Sequence, residues 1–346
     1  MIIALIILIV LGLVGYYFII EKDILGLEKD KTEIVEVESL NINKLEEQIF
    51  SKEGIVSYNN KTVNFNSYEG KSWNLELTEI IDKVYIYDYI YILSKDRKKL
   101  TEVDLKGNII ISNEFEEEIL DVKKEEIVFL IARSEDESNI IIKILNNGEI
   151  IKNIIDGNIV VLSPKNEIDS YFISYFNFNE GAINSTIQQR LIEDDIKLWE
   201  NTLVNEIAVE AFKTSSRTFI LTDKNFYAFN TDGIILWKYS NFETIKDIEI
   251  DKENDKIYLL ESNRLHSLEF DSTVLNIVDL DQNYNELKTY NDNILLSNNT
   301  KIDELKEEMH NIWENDEILV DYHINNGDIY IETDYNTYKG KLITGR

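Results

Sequence analysis

The chain of 346 residues contains no cysteine, which excludes disulfide bridges, thiolate metal sites, a cysteine nucleophile and a lipidated N-terminal cysteine. Membrane attachment therefore has to come from a helix. Positive charge is also scarce: 35 Lys and Arg stand against 65 Asp and Glu, for a formal charge of -30. The acids are spread along the chain instead of forming a tail. Such a surface repels phosphate backbones and anionic headgroups, so nucleic acid is excluded as a partner and the charge is read as a solubility device.

Histidine is nearly absent. His266, His310 and His323 fall on three different repeat units, and no pair has the local spacing of a helical metal site. No Gly-x-Ser-x-Gly elbow and no phosphate-cradling Gly-Lys-Ser/Thr loop occurs. The nearest approach to a calcium loop is 279–287, with oxygens at Asp279, Asp281, Asn283 and Asn285. It lacks the central glycine, and Tyr290 stands where the bidentate glutamate belongs. No catalytic, cofactor-binding or metal residue is assigned, and the chain is read as non-enzymatic and without a cofactor.

One long hydrophobic run is present. From Ile2 to Ile20 there are 19 residues without a charge, of which 14 are Ile, Leu, Val or Phe. As a helix they span about 28 Å, close to the hydrocarbon thickness. A basic start and a small-residue cleavage site are missing, and Tyr16, Tyr17 and Phe18 lie near one end, as at a membrane interface. Residues 1–20 are read as an uncleaved transmembrane signal anchor and 21–32 as a linker. Lys22, Lys29 and Lys31 follow the helix and lean toward a cytoplasmic C-terminus, but they alternate with acids.

Beyond the linker, short runs alternate apolar and polar positions, as in Tyr85, Tyr87, Tyr89 and Tyr91, or Ile140, Ile142 and Ile144. This is the period of half-buried strands. The segments 89–111 and 256–277 share one layout: strand, hairpin, strand, tight turn, strand. The tight turn recurs at Gly70, Gly107, Gly148, Asp195, Gly233, Ser272 and about Met309, at spacings of 37, 41, 47, 38, 39 and 37. A period near 40 with several strands per unit signals propeller blades. Trp73 lies three residues after its turn, and Trp199, Trp237 and Trp313 lie four after theirs. A tryptophan placed at random would meet such a register roughly one time in twenty. Ile302, Leu305, Met309 and Ile312 also fit a helical spacing, but Trp313 in register favours a blade there.

The stretches YAFNTDGIILWKY (227–239), RLIEDDIKLWE (190–200) and KIDELKEEMHNIWE (301–314) resemble the tryptophan-docking repeat of PQQ-like propellers, roughly A-x-D-x-x-T-G-x-x-x-W. The resemblance implies that each indole packs against the neighbouring blade. It covers most of 33–346 in degenerate copies, and it extends to single-pass membrane-anchored propeller proteins of Gram-positive bacteria. The propeller scaffold of outer-membrane assembly lipoproteins is similar, but the lipidated cysteine of that group is lacking. Quinone-dependent dehydrogenases with this repeat use adjacent cysteines and a metal constellation that have no match here, and the Asp-box of sialidase propellers is absent as well.

Seven units carry their own fourth strand, whereas the last, 327–346, stops after its third. The strand-like TEIVEVESL (32–40) has no partner of its own, and pairing it beside the C-terminal strand removes two open edges. The expected fold is an all-β, eight-bladed propeller over 33–346, with seven blades as the alternative, preceded by one transmembrane helix. Two adjacent blades have unusual loops on one face, ARSEDESN (132–139) and FNFNEGAIN (176–184), which make that face the expected partner site. The function expected is that of a membrane-tethered, extracytoplasmic scaffold docking an envelope protein or polymer. The alternative is an enzyme or small-ligand receptor using the central channel, which a funnel of converging carboxylates would favour.

Overall fold

A computed structural model describes residues 32–40, 45–124, 127–165, 170–179, 181–306 and 308–343. The anchor expected at 1–20 lies outside them, as does nearly all of the linker; among the described residues no helix is long and apolar enough to cross a membrane. The described residues form eight four-stranded antiparallel sheets, seven of them built from strands consecutive in sequence. The fold is an all-β, eight-bladed propeller, and the seven-bladed alternative falls. Blades one to six cover 47–76, 81–114, 118–155, 158–204, 208–239 and 247–279, and blade seven covers 286–314. Blade eight joins 319–343 to Glu33–Ser39.

Two compact units are distinguished, one drawn from Ile42–Gln282 and the other from Met1–Asn41 with Asn283–Arg346. In the first, the opening strand of blade four lies against those of blades three and five, so the first strand of each blade is the inner one. Burial follows this layering. The second strands Gly54–Tyr58 and Ile90–Ser94 are buried at every position; Ile90–Ser94, packed between blades one and three, has both faces covered and therefore tolerates continuous apolar sequence. The fourth strand of blade two, Ile109–Glu114, is exposed along most of its length.

The expected turns join third and fourth strands. Gly107 and Gly233 adopt φ of 88° and 76°, and Asp195 and Ser272 enter the same left-handed region at 55° and 77°, which a short polar side chain tolerates better than a branched one. The 301–314 segment forms two paired strands, Lys301–Leu305 and Met309–Glu314, and no helix.

In the smaller unit Glu33–Ser39 pairs antiparallel with Thr337–Ile343, Ile34 opposite Leu342. Gly340 makes the approach possible: a Cβ there would meet the Ile34 side chain at 2.5 Å. Thr32 seals the junction, its backbone N–H donating to Glu304 at 3.2 Å and its hydroxyl to the same carboxylate. Trp313 is buried nearby with Leu319, Tyr322 and Ile329.

Candidate interaction surface

Three indoles in the larger unit lock one blade to the next. The Trp73 Nε1–H donates to the Leu105 carbonyl at 3.0 Å, and the ring lies 3.0 Å from where a Gly107 side chain would begin. The Trp237 Nε1–H donates to the Phe270 carbonyl at 2.8 Å. Trp199 stacks on Phe229 at 5.9 Å and 9°, and it leaves a Gly233 Cβ only 2.5 Å of room. Its Nε1–H turns to Gln189 of its own blade, at 2.7 Å.

The joint between blades three and four differs. Lys143, completely buried, donates to the Ile192 carbonyl at 2.7 Å and to Asp195 at 3.2 Å. Asp195 also accepts from Asn153 at 3.0 Å, from the Tyr171 hydroxyl and from Arg190. Burial first, and Asp195 second, push the Tyr171 hydroxyl far above its usual range. From the sequence Asp195 reads only as a weak turn residue. The signal that could have marked it is a lone lysine inside the Ile-rich run 140–144.

The same two blades carry, at their other end, the two segments that the sequence singles out. The loop after the second strand of blade three is a tight turn, with Ser134 receiving the Ser138 N–H at 3.2 Å and Glu137 at φ 68°. Glu135, Asp136 and Glu137 project from it. The Ser134 hydroxyl holds the Asp136 carboxyl below its usual value, so the charge persists into mild acid. FNFNEGAIN, expected as a loop, is mostly strand. Ser170–Asn179 and Ala182–Leu191 have ten residues each and pair out to Asn179 and Ala182. The first strand of the blade stops opposite Phe176 and the fourth opposite Asn184, so the hairpin tip runs on as a two-stranded arm of about 10 Å. The alternation of Phe176 and Phe178 was the strand signal, masked by the polar residues around it.

On the arm Phe176 and Phe178 meet edge to face at 5.5 Å, and Phe178 is 67 % exposed. The connection 156–157 ties both segments together. The Asn139 amide donates to the Gly157 carbonyl and the Asn177 amide to the Asp156 carbonyl, each at 2.8 Å. Any side chain at Gly157 would strike the Tyr175 ring at 2.5 Å.

The residues weighed for chemistry are engaged elsewhere. His266 is fully buried between the Tyr239 hydroxyl at 2.9 Å and Glu261 at 3.0 Å. His310 lies in the fourth strand of blade seven, and His323, in blade eight, has its pKa lowered by burial and then by Lys288. Asp279 pairs with Arg264 at 3.1 Å, and the Asn285 amide donates to Asn299 at 3.1 Å. Among the described residues no group of three or more His, Asp or Glu side chains is arranged to hold a metal. The inner strands of the larger unit carry both signs: Asp121 pairs with Lys123 at 3.3 Å, and Glu210, its pKa raised by burial and then by Asp247, also feels Lys123.

No family model matches the chain, and no curated protein does. Solved structures match its fold. BamB from Moraxella catarrhalis aligns over 90% of this chain and 98% of its own, at 12% identity and a TM-score of 0.62. The C-terminal WD40 domain of Sif2 aligns over 90% and 99%, at 10% identity and 0.63. Kluyveromyces lactis Hsv2p aligns over 82% and 98%, at 14% identity and 0.53. At such identities the likeness establishes one thing, that the chain is similar to β-propellers of these kinds in fold.

Proposed function

We propose that the chain is a membrane-tethered, non-enzymatic propeller of the PQQ-like kind, whose 176–184 arm docks a cell-envelope protein or polymer outside the cell. The observation that carries the reading is the arm itself: an aromatic tip held out on paired strands and tied near its base by the Asn177–Asp156 hydrogen bond. Exposed aromatics on a rigid support are the usual anchors of protein interfaces. The acids at 135–137 suit a partner with basic residues around its aromatic pocket. The uncharged run at 2–20 supports the tether.

A photo-crosslinking residue at Phe178, with one at Leu275 of blade six as control, tests this in whole cells. A product formed from position 178 and not from position 275 is expected; no product from 178, or equal yields from the two positions, overturns the docking role. Protease treatment of intact and lysed cells tests the location. Protection until lysis overturns the extracytoplasmic placement.

A further inference from the structure

The strand register identifies the position that an indole occupies in each docking joint. Trp237 pairs with Ala228 just before a bulge, five residues ahead of its turn glycine. In blade two the same place in the same bulged register belongs to Ile111, paired with Glu102. Ile111 is too short to reach the next blade. Nothing lies within 4 Å of a Cβ built on Gly148, the turn glycine of blade three, whereas Gly107 and Gly233 both meet indole atoms. A cavity of about 490 Å³ remains, walled by Tyr91, Glu102, Ile111, Leu145, Asn146 and Gly148, a size suited to a small ligand or a large side chain.

The polar groups of this slot match what an indole offers. Trp73 and Trp237 donate to the carbonyl two residues before the turn residue, Leu105 and Phe270. The equivalent carbonyl is that of Asn146, for which no hydrogen bond is found among the described residues. The Tyr91 hydroxyl, on a side chain 1 % exposed, faces the Glu102 carboxylate in the same wall. Asp88 and Glu102 share one cation, Lys124, which stands 3.4 Å from Asp88, so the wall holds two carboxylates against one ammonium. Ile109 and Ile110, each more than half exposed, extend the apolar surface beside the opening.

We propose that the slot between blades two and three takes a tryptophan side chain in trans, from a partner segment in which lysine or arginine flanks it. The ring replaces the missing indole on the Gly148 turn, its N–H donates to the Asn146 carbonyl, and the basic neighbour faces Glu102. This site is separate from the arm and independent of the docking reading above.

The test uses the full-length protein in detergent and the probe acetyl-Lys-Trp-Lys-amide carrying 5-fluorotryptophan, followed by fluorine NMR, with acetyl-Lys-Ala-Lys-amide as competitor. Saturable binding is expected, with the alanine peptide at least tenfold weaker. Ile111→Trp fills the slot in cis and should weaken the probe at least tenfold without lowering the melting temperature. Glu102→Gln, which keeps the shape of the wall, should weaken it about tenfold through the lost charged partner. No saturable binding, equal competition by the alanine peptide, or an unchanged affinity in a folded Ile111→Trp protein overturns the proposal. Should Ile111→Trp lose its cooperative melt, an unchanged affinity in Glu102→Gln overturns it instead.

Discussion

At the joint between blades four and five an indole lies flat on Phe229 and presses on Gly233, whereas one joint earlier an ammonium group sits wholly buried against Asp195 and the Ile192 carbonyl. Both fill the wedge between neighbouring blades. The indole does so by removing a large apolar area from water, a gain that depends on contact and little on angle. The lysine must first lose its hydration, and several precisely placed acceptors have to offset that cost. Joints of the first kind constrain one turn position, as Trp199 constrains Gly233, and joints of the second kind bind five side chains to one geometry.

Truncation separates the two most sharply. Trp199→Ala should lower stability by about 3–5 kcal/mol, because the cavity is walled by two blades that cannot collapse, measured by chemical denaturation with an unchanged m-value. Asp195→Asn keeps the turn conformation and the shape but strips the countercharge from Lys143. A loss of about 3 kcal/mol is expected. Lys143→Met should move stability far less than Asp195→Asn, and in the stabilising direction if the methionine packs well. A Lys143→Met protein that is as damaged as the Asp195 variant would break the comparison.

The smallest effect concerns charge in the open. Glu79 accepts from Lys99 at 2.7 Å and also from Thr78, and these bonds lower its carboxyl from 4.5 to about 2 although the group is exposed. A depressed folded value means that the stabilisation is present above 4.5 and is lost as pH falls toward 2. Solvent screening keeps it slight. The difference in melting temperature between the parent and Glu79→Gln should thus be small at pH 7 and vanish by about pH 2.

The indole joints were legible in the sequence because tryptophan is rare, and four of them three or four residues after a turn stand out from background. The turn positions were legible for a related reason, since left-handed backbone admits few residue types, and Asp195 and Ser272 took it where glycine was missing. The pairing of Glu33–Ser39 with the last strand followed from counting edges. The lysine joint was hidden, since Lys143 finds its acceptors some 50 residues away and one lysine among many carries no periodic mark. The arm was half visible. Its surplus residues showed in the 47-residue spacing, but whether they loop or pair depends on Gly157 and Asn177 meeting across two connections, which no local pattern encodes.

The strand Glu33–Ser39 has a partner that the ribosome makes much later. Some 300 residues separate it from Thr337–Ile343, and synthesis at about 5–20 residues per second leaves it waiting for roughly 15–60 s. Throughout that interval its Ile34, Val35 and Val37 are uncovered and both of its edges are bare, free to join any other nascent chain. Glu33, Glu36 and Glu38 place three negative charges within its seven residues, so two such strands repel when they meet. The finished blade has little use for that charge on a half-exposed strand, and the growing polypeptide has a great deal.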